Sequence, residues 1–184
     1  MLGVLFAAVL FATAQGDMIR RLHCSSYNDP MTTLGRSWPV YLSLERPLEY
    51  GDRLRFSFVF NSQNNDLGID LRSYDRDLPW DQNLITLHLR FNQNQHRLVI
   101  NAHDTPGNWQ NNEQSIPWRD NWRHNSLYKI EILYTRGGFE IYELSSQGTE
   151  LIATFANKHR RHELITSTDN SFTFSEAQFV CMGH

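Results

Sequence analysis

An all-β domain, a sandwich or a barrel, is what this chain predicts, and three observations carry the prediction. Short stretches of alternating apolar and polar residues recur at the spacing of roughly eight to twelve residues that strands and tight turns produce. Turn-forming residues punctuate them, as in Tyr50-Gly51-Asp52, Arg136-Gly137-Gly138 and Gln147-Gly148. Beyond Ala14 no segment sustains the 3.6-residue period of a helix.

The elements follow in order. Residues 1–14, MLGVLFAAVLFATA, read as a secretory signal peptide. The apolar run from Leu2 to Leu10 is too short to span a bilayer, and Ala12-Thr13-Ala14 suits a small-x-small cleavage site. Residues 15–36 are polar and weakly patterned, an arm leading to the domain. Residues 37–184 form the domain itself. Its first strand is expected over Trp38–Leu44. Arg53–Phe60 alternates cleanly, with Leu54, Phe56, Phe58 and Phe60 on one face. Leu67–Leu71 is a further strand, and Ser73–Asn83 a longer loop. Leu84–Asn92 and Arg97–Asn101 form a hairpin across Gln93 to His96. Leu127–Tyr134, Phe139–Leu144 and Leu151–Phe155 form a meander, and Phe172–Val180 closes the chain.

Bulk properties exclude several classes. The 184 residues suffice for one domain with a real core. A net charge of −3 offers no electrostatic case for nucleic acid or an anionic membrane. No later segment is apolar enough for membrane insertion. The basic cluster Lys158-His159-Arg160-Arg161-His162 reads as a solvated turn, with a charged-glycan contact as the other reading. Cys24 and Cys181 are the only cysteines and sit near the two ends of the mature chain. In an oxidising compartment they are expected to pair, the alternative being two buried thiols.

The chemistry is concentrated between Leu87 and Ser115. Side chains two apart on a strand share a face. His88, Arg90 and Asn92 therefore project together while Leu87, Leu89 and Phe91 point into the core. Arg90 offers a planar fork to a ring oxygen and a hydroxyl at once. His88 donates or accepts according to its tautomer, and Asn101 carries both functions. Trp109 follows the turn Thr105-Pro106-Gly107-Asn108, which thrusts it outward. Glu113 is placed to orient Arg90, and Asn112 is an alternative contact. Trp118 and Trp122 read as structural or rim residues. A polar row beside an exposed indole suits a sugar, whose hydroxyls need hydrogen bonds and whose apolar face needs a ring.

These residues resemble the galectin signature. Arg90-Phe91-Asn92 is similar to the family's Arg-Phe-Asn, Val99-Ile100-Asn101 to its Val-x-Asn, and Trp109 to its stacking Trp. Counting back from Arg90 puts His88 at the family's Asn position and Thr86 at its His position. A second alignment keeps His88 as the His and deletes an Asn-Pro pair. Glu113 stands four residues after Trp109 instead of three, and Gln114 or Ser115 replaces the final Arg. Tyr50-Gly51-Asp52-Arg53-Leu54 resembles the family's Pro-Gly-x-x-Leu turn. Phe139-Glu140-Ile141-Tyr142 and Phe155-Ala156-Asn157-Lys158-His159-Arg160 resemble its Phe-x-Val and Phe-x-His-Arg. A secreted, divergent chain of this kind is most similar to invertebrate galectin-like proteins, nematode ones in particular.

The resemblance implies a two-sheet antiparallel sandwich of the concanavalin jelly-roll type. It also implies that the two ends of the domain lie on neighbouring strands, which suits a Cys24–Cys181 bridge. The expected function is that of a secreted lectin for β-galactoside-type or related glycans with altered specificity. The alternative is an interaction module that has lost sugar binding. Glycans or glycoconjugates are the expected partners, and a homo-oligomer would allow cross-linking. No catalysis is expected. A glycosidase needs two flanking carboxylates, and only Asp104 and Glu113 lie near the motif. No nucleophile elbow, phosphate loop or metalloprotease His pair occurs. Asp75, Asp77 and Asp81 lack the spacing of a calcium loop. Neither a metal nor another cofactor is expected.

Overall fold

The computed structural model describes residues 20–35, 40–60, 66–75, 77–78, 82–167 and 172–183. The expected signal peptide and Trp38 lie outside the described residues. The architecture is the all-β sandwich the patterning predicts, with no α-helix among the described residues.

The first sheet is seven-stranded. It runs β1 (Arg20–Leu22), β4 (Val40–Leu44), β15 (Leu164–Ser167), β6 (Asp66–Arg72), β7 (Ile85–Asn92), β8 (Arg97–Asn101) and β11 (Gln114–Pro117). The second runs β14 (Gly148–Ala156), β13 (Gly138–Ser145), β12 (Leu127–Thr135), β5 (Arg53–Phe60), β16 (Phe172–Val180) and β2 (Cys24–Ser25), with β3 (Thr32–Thr33) also on β16. A small ribbon of β9 (His103–Thr105) and β10 (Asn108–Trp109) stands apart from both.

The core lies between the sheets because the strands bury alternate residues on their inner faces, with register shifts where β6 meets β7, β13 meets β14 and β5 meets β16. Leu54, Phe56, Phe58 and Phe60 on β5 are buried, as are Leu87, Leu89 and Phe91 on β7. Phe91 meets Phe58 and Phe60 at ring separations of 5.6 and 5.5 Å, both near edge-on, the geometry aromatic quadrupoles favour. Trp122 is buried in this core, and Trp118 packs on it while donating its indole N–H to the Trp122 carbonyl at 2.7 Å.

Some expectations change. Residues 20–35 are integral to both sheets and do not form a separate arm. Strand β15 was not expected, and it sits mid-sheet between β4 and β6. Its four residues are all buried, so they show no alternation to read. The basic cluster is only partly a solvated turn. Lys158 pairs with Asp104 and Arg161 with Glu163, but His162 is fully buried.

Cys24 and Cys181 form a disulfide with their Cα atoms 5.3 Å apart. The oxidised protein should have an intact mass two protons below the dithiol and take up no alkylating reagent until reduced. Two reactive thiols in the folded, unreduced protein would contradict the pairing.

Candidate functional site

The outer face of the first sheet carries the polar row. The register is set by β6, β7 and β8. His88 stands opposite Asp70 on one side and Asn101 on the other, and Arg90 stands between Gly68 and Val99. The inward Ile69 and Leu71 on β6 force Gly68, Asp70 and Arg72 outward on the same period. A Cβ at Gly68 would meet His88 Cε1 at 3.4 Å, an ordinary van der Waals contact.

Behind His88 lies a buried relay. Asp70 Oδ1 is 2.6 Å from His88 Nδ1, and Arg72 Nη2 donates to Asp70 Oδ2 at 2.6 Å. Arg72 is itself held by Thr166 Oγ1 at 3.1 Å and the Asn83 carbonyl at 3.0 Å. Burial alone would raise the Asp70 carboxyl, but the hydrogen bond and charge of His88, with Arg72, outweigh it and hold the pKa below the usual value. An ionised Asp70 can only accept, so the His88 Nδ1 facing it bears a proton.

Trp109 closes one end. The β9–β10 ribbon reverses at Gly107, whose φ of +80° needs a glycine, and Asn108 Nδ2 braces the turn on Thr105 Oγ1 at 2.8 Å. Trp109 is 46% exposed. Its ring lies 5.0 Å from the His88 ring and 4.5 Å from that of His103. Burial, then the charge of Arg72, lowers the His103 pKa and favours its neutral form. The His103 carbonyl accepts from His159 Nε2 at 2.6 Å and Gln110 Nε2 at 3.1 Å, which fastens the ribbon to the loop after β14.

His88, Arg90, Asn101, Trp109 and Glu113 thus come together. Asn101 is buried, with Oδ1 accepting from Ala102 N at 2.8 Å and Nδ2 lying 3.5 Å from Glu113 Oε2. Two expected members stand elsewhere. Asn92 is buried, and its Oδ1 accepts from Gln95 N at 2.8 Å, so the side chain closes the β7–β8 turn. Asn112 leans toward β14, where Nδ2 lies 3.5 Å from the Ala156 carbonyl. Asn92→Ala should therefore cost about 1 kcal/mol of stability, the worth of one internal hydrogen bond, and leave ligand binding unchanged. Paired thermal melts and titrations check this.

Asp70, Arg72 and His103 were missed. His103 lies two residues past Asn101 but begins the separate β9–β10 ribbon, so the period of β8 does not carry to it. Asp70 and Arg72 alternate outward, but their role depends on β6 pairing with β7, a long-range fact. Thr86 sits where the β6–β7 register shifts between Leu71 and Arg72; it is buried and donates to the Leu71 carbonyl at 3.0 Å.

The galactoside-binding lectin family model matches residues 39–175. A galectin of Caenorhabditis elegans, LEC-6, superposes with a TM-score of 0.64 at 22% identity, covering 84% of this chain and 98% of its own. A substituted human galectin-16 gives 0.64 at 16% identity, covering 81% and 98%. Sheep galectin-11, in complex with glycerol, gives 0.62 at 12% identity, covering 77% and 97%. No curated protein matches the chain. A family match over most of the described domain, on a sandwich carrying Arg90, Asn101 and Trp109 on one outer face, makes this chain a member of the galectin family of galactoside-binding lectins.

Proposed function

We propose that this chain is a secreted lectin that binds β-galactoside-type or related glycans with altered specificity. One observation carries the reading: a half-exposed Trp109 stands at the end of a row holding Arg90, His88 and Asn101. The indole takes an apolar sugar face, and the row takes the hydroxyls. His88 occupies the counted position of the family's Asn and is fixed by Asp70, which supports a changed hydroxyl preference. The disulfide supports an oxidising destination.

A glycan array on the chain from residue 15 onward tests this, followed by calorimetry on the best glycan. Arg90→Lys should weaken binding about tenfold, because an ammonium lacks the planar fork. A folded protein that binds no glycan would sink the proposal. The second reading, an interaction module without sugar binding, draws on Gln114 or Ser115, one of which replaces the Arg that ends the family's motif; they stand on β11 opposite Ile100 and Val99.

A further inference from the structure

The second sheet forks. Strands β12 and β13 are paired from Thr135 opposite Gly138 to Ile130 opposite Glu143, where their register ends. Strand β12 runs on to Leu127 along β5, and β13 runs on to Ser145 along β14. Each keeps the partner on its far side and parts from the other. A groove of about 670 Å³ opens there, a volume in the range of ligand pockets. Leu127, Tyr128 and Lys129 line one bank, and Leu144, Ser145 and Ser146 the other. Runs of consecutive strand residues bring main chain to the groove as well as side chains, since alternate side chains leave for opposite faces.

Beyond β12 the groove reaches Arg55 on β5 and Tyr27 in the turn between β2 and β3. Tyr27 lies outside the span matched by the family model, 39–175, so this wall is the chain's own addition. The turn is fixed in place. Gln178 Nε2 donates to the carbonyls of Ser26 and Asp29 at 2.9 and 3.0 Å. Arg55 donates to the Tyr27 carbonyl at 3.1 Å, with its guanidinium 4.4 Å over the Tyr27 ring.

The accessible charge in the groove is positive, although the whole chain carries −3. Lys129 is exposed, and among the described residues no carboxylate pairs with it. Arg55 Nε lies 3.7 Å from Glu131 Oε2, and Arg53 pairs with the same carboxylate, so two guanidiniums share one negative charge. The carboxylate that lines the groove, Glu143, is buried and already engaged. Its Oε2 lies 3.0 Å from Arg119 Nε, and Asn121 donates to its Oε1. Glu176 stands on β16 outside the groove and accepts from Ser57 Oγ at 3.1 Å. Apolar surface lies beside the cations: Leu127 is 56% exposed and Tyr27 43%.

We propose that this fork is a second binding site, on the other sheet from the glycan row, and that it takes an extended acidic peptide segment of a partner protein. The peptide main chain lies along the banks, a carboxylate meets Lys129 and Arg55, and a neighbouring aliphatic side chain covers Leu127 and Tyr27. A small anion would use the cations alone and leave Leu127 bare. The fork shares no residue with Arg90, His88, Asn101 and Trp109, so both sites can be filled at once, and it does not depend on the carbohydrate reading.

Panning a phage-displayed library of random heptapeptides on the chain from residue 15 onward should enrich sequences with Asp or Glu beside Leu, Ile or Val. The synthetic peptide of the best clone should shift the amide resonances of Leu127, Lys129 and Leu144, and bind more weakly as salt rises. Lys129→Glu should weaken it about tenfold and Leu127→Ser about threefold. Both positions are exposed, so thermal melts of the two variants should match the parent. The best glycan from the array should not compete with the peptide. Absence of acidic enrichment, shifts confined to the first sheet, competition by the glycan, or undiminished binding to Lys129→Glu would each overturn the proposal. Glucuronate binding at the same amides as tightly as the peptide would overturn it too, making the fork a small-anion site. A chain that binds the peptide and no glycan would leave the fork standing and remove the carbohydrate reading alone.

Discussion

Lowering the pH from 7 to 5 should cost the folded protein about 2 kcal/mol, and about 3 kcal/mol by pH 4, through His162. This histidine is fully buried. Its ring packs edge-on against Tyr134 and Phe139 at 4.6 and 4.9 Å. Its Nδ1 lies 2.8 Å from Thr86 Oγ1, whose own proton goes to the Leu71 carbonyl. Thr86 therefore accepts, His162 carries its proton on Nδ1, and Nε2 has no partner. A second proton would have to sit on the buried Nε2, which has no hydrogen-bond partner, and the His159 backbone offsets that cost only in part. Burial, reinforced by the neighbouring His159, pulls the pKa down to about 3. The unfolded chain titrates near 6.5, so it takes up the proton first as the pH falls. The stabilisation is full above about 6.5 and is lost progressively toward 3. His103, also lowered, acts with the same sign. Urea unfolding at pH 7, 6 and 5 measures the loss. His162→Gln, neutral at every pH, should flatten most of the slope between 7 and 5. An equally steep slope in that variant would assign the acid sensitivity to other groups.

The same residue shows where reading the chain stops. Within Lys158-His159-Arg160-Arg161-His162 every residue is polar or charged, and nothing local separates the buried His162 from the exposed Arg161. The separation comes from β12 and β13, which bring Tyr134 and Phe139 around that one ring. By contrast, β5 and β7 were legible almost residue by residue, because each buries an alternating apolar set while most of the polar residues between stay partly accessible. The second sheet's meander was legible for the same reason. Strand β15 was not, because a strand covered on both faces loses its period. In the site, Arg90, His88, Asn101 and Trp109 were within reach of local rules, as strand neighbours or a residue after a turn. Asn92 obeyed the same period, but the turn beside it takes its oxygen, and turn chemistry overrides face. The Arg72–Asp70 support of His88 needed the β6–β7 pairing, which no local pattern specifies.

Replacing Trp109 with alanine should weaken glycan binding by about 2 kcal/mol, roughly thirtyfold, because stacking on the indole buries an apolar sugar face. The ring stands on the β9–β10 ribbon, clear of the core, with 46% of its surface exposed. The sandwich loses little support when it goes. Surface substitutions ordinarily stay within about 0.5 kcal/mol, and the lost packing on His88 and His103 adds a modest amount. Binding and stability should therefore separate. Trp109→Phe should keep part of the affinity, since a smaller ring still offers an apolar face. Calorimetry with the array's best glycan and thermal melts on both variants give the two readings side by side. If Trp109→Ala unfolds the domain, the ring is structural and the platform assignment fails. If it folds and binds as tightly as the parent, the sugar lies off the indole. A parent that binds no glycan at all would point to the interaction module, with Trp109 as the exposed aromatic a protein partner would cover.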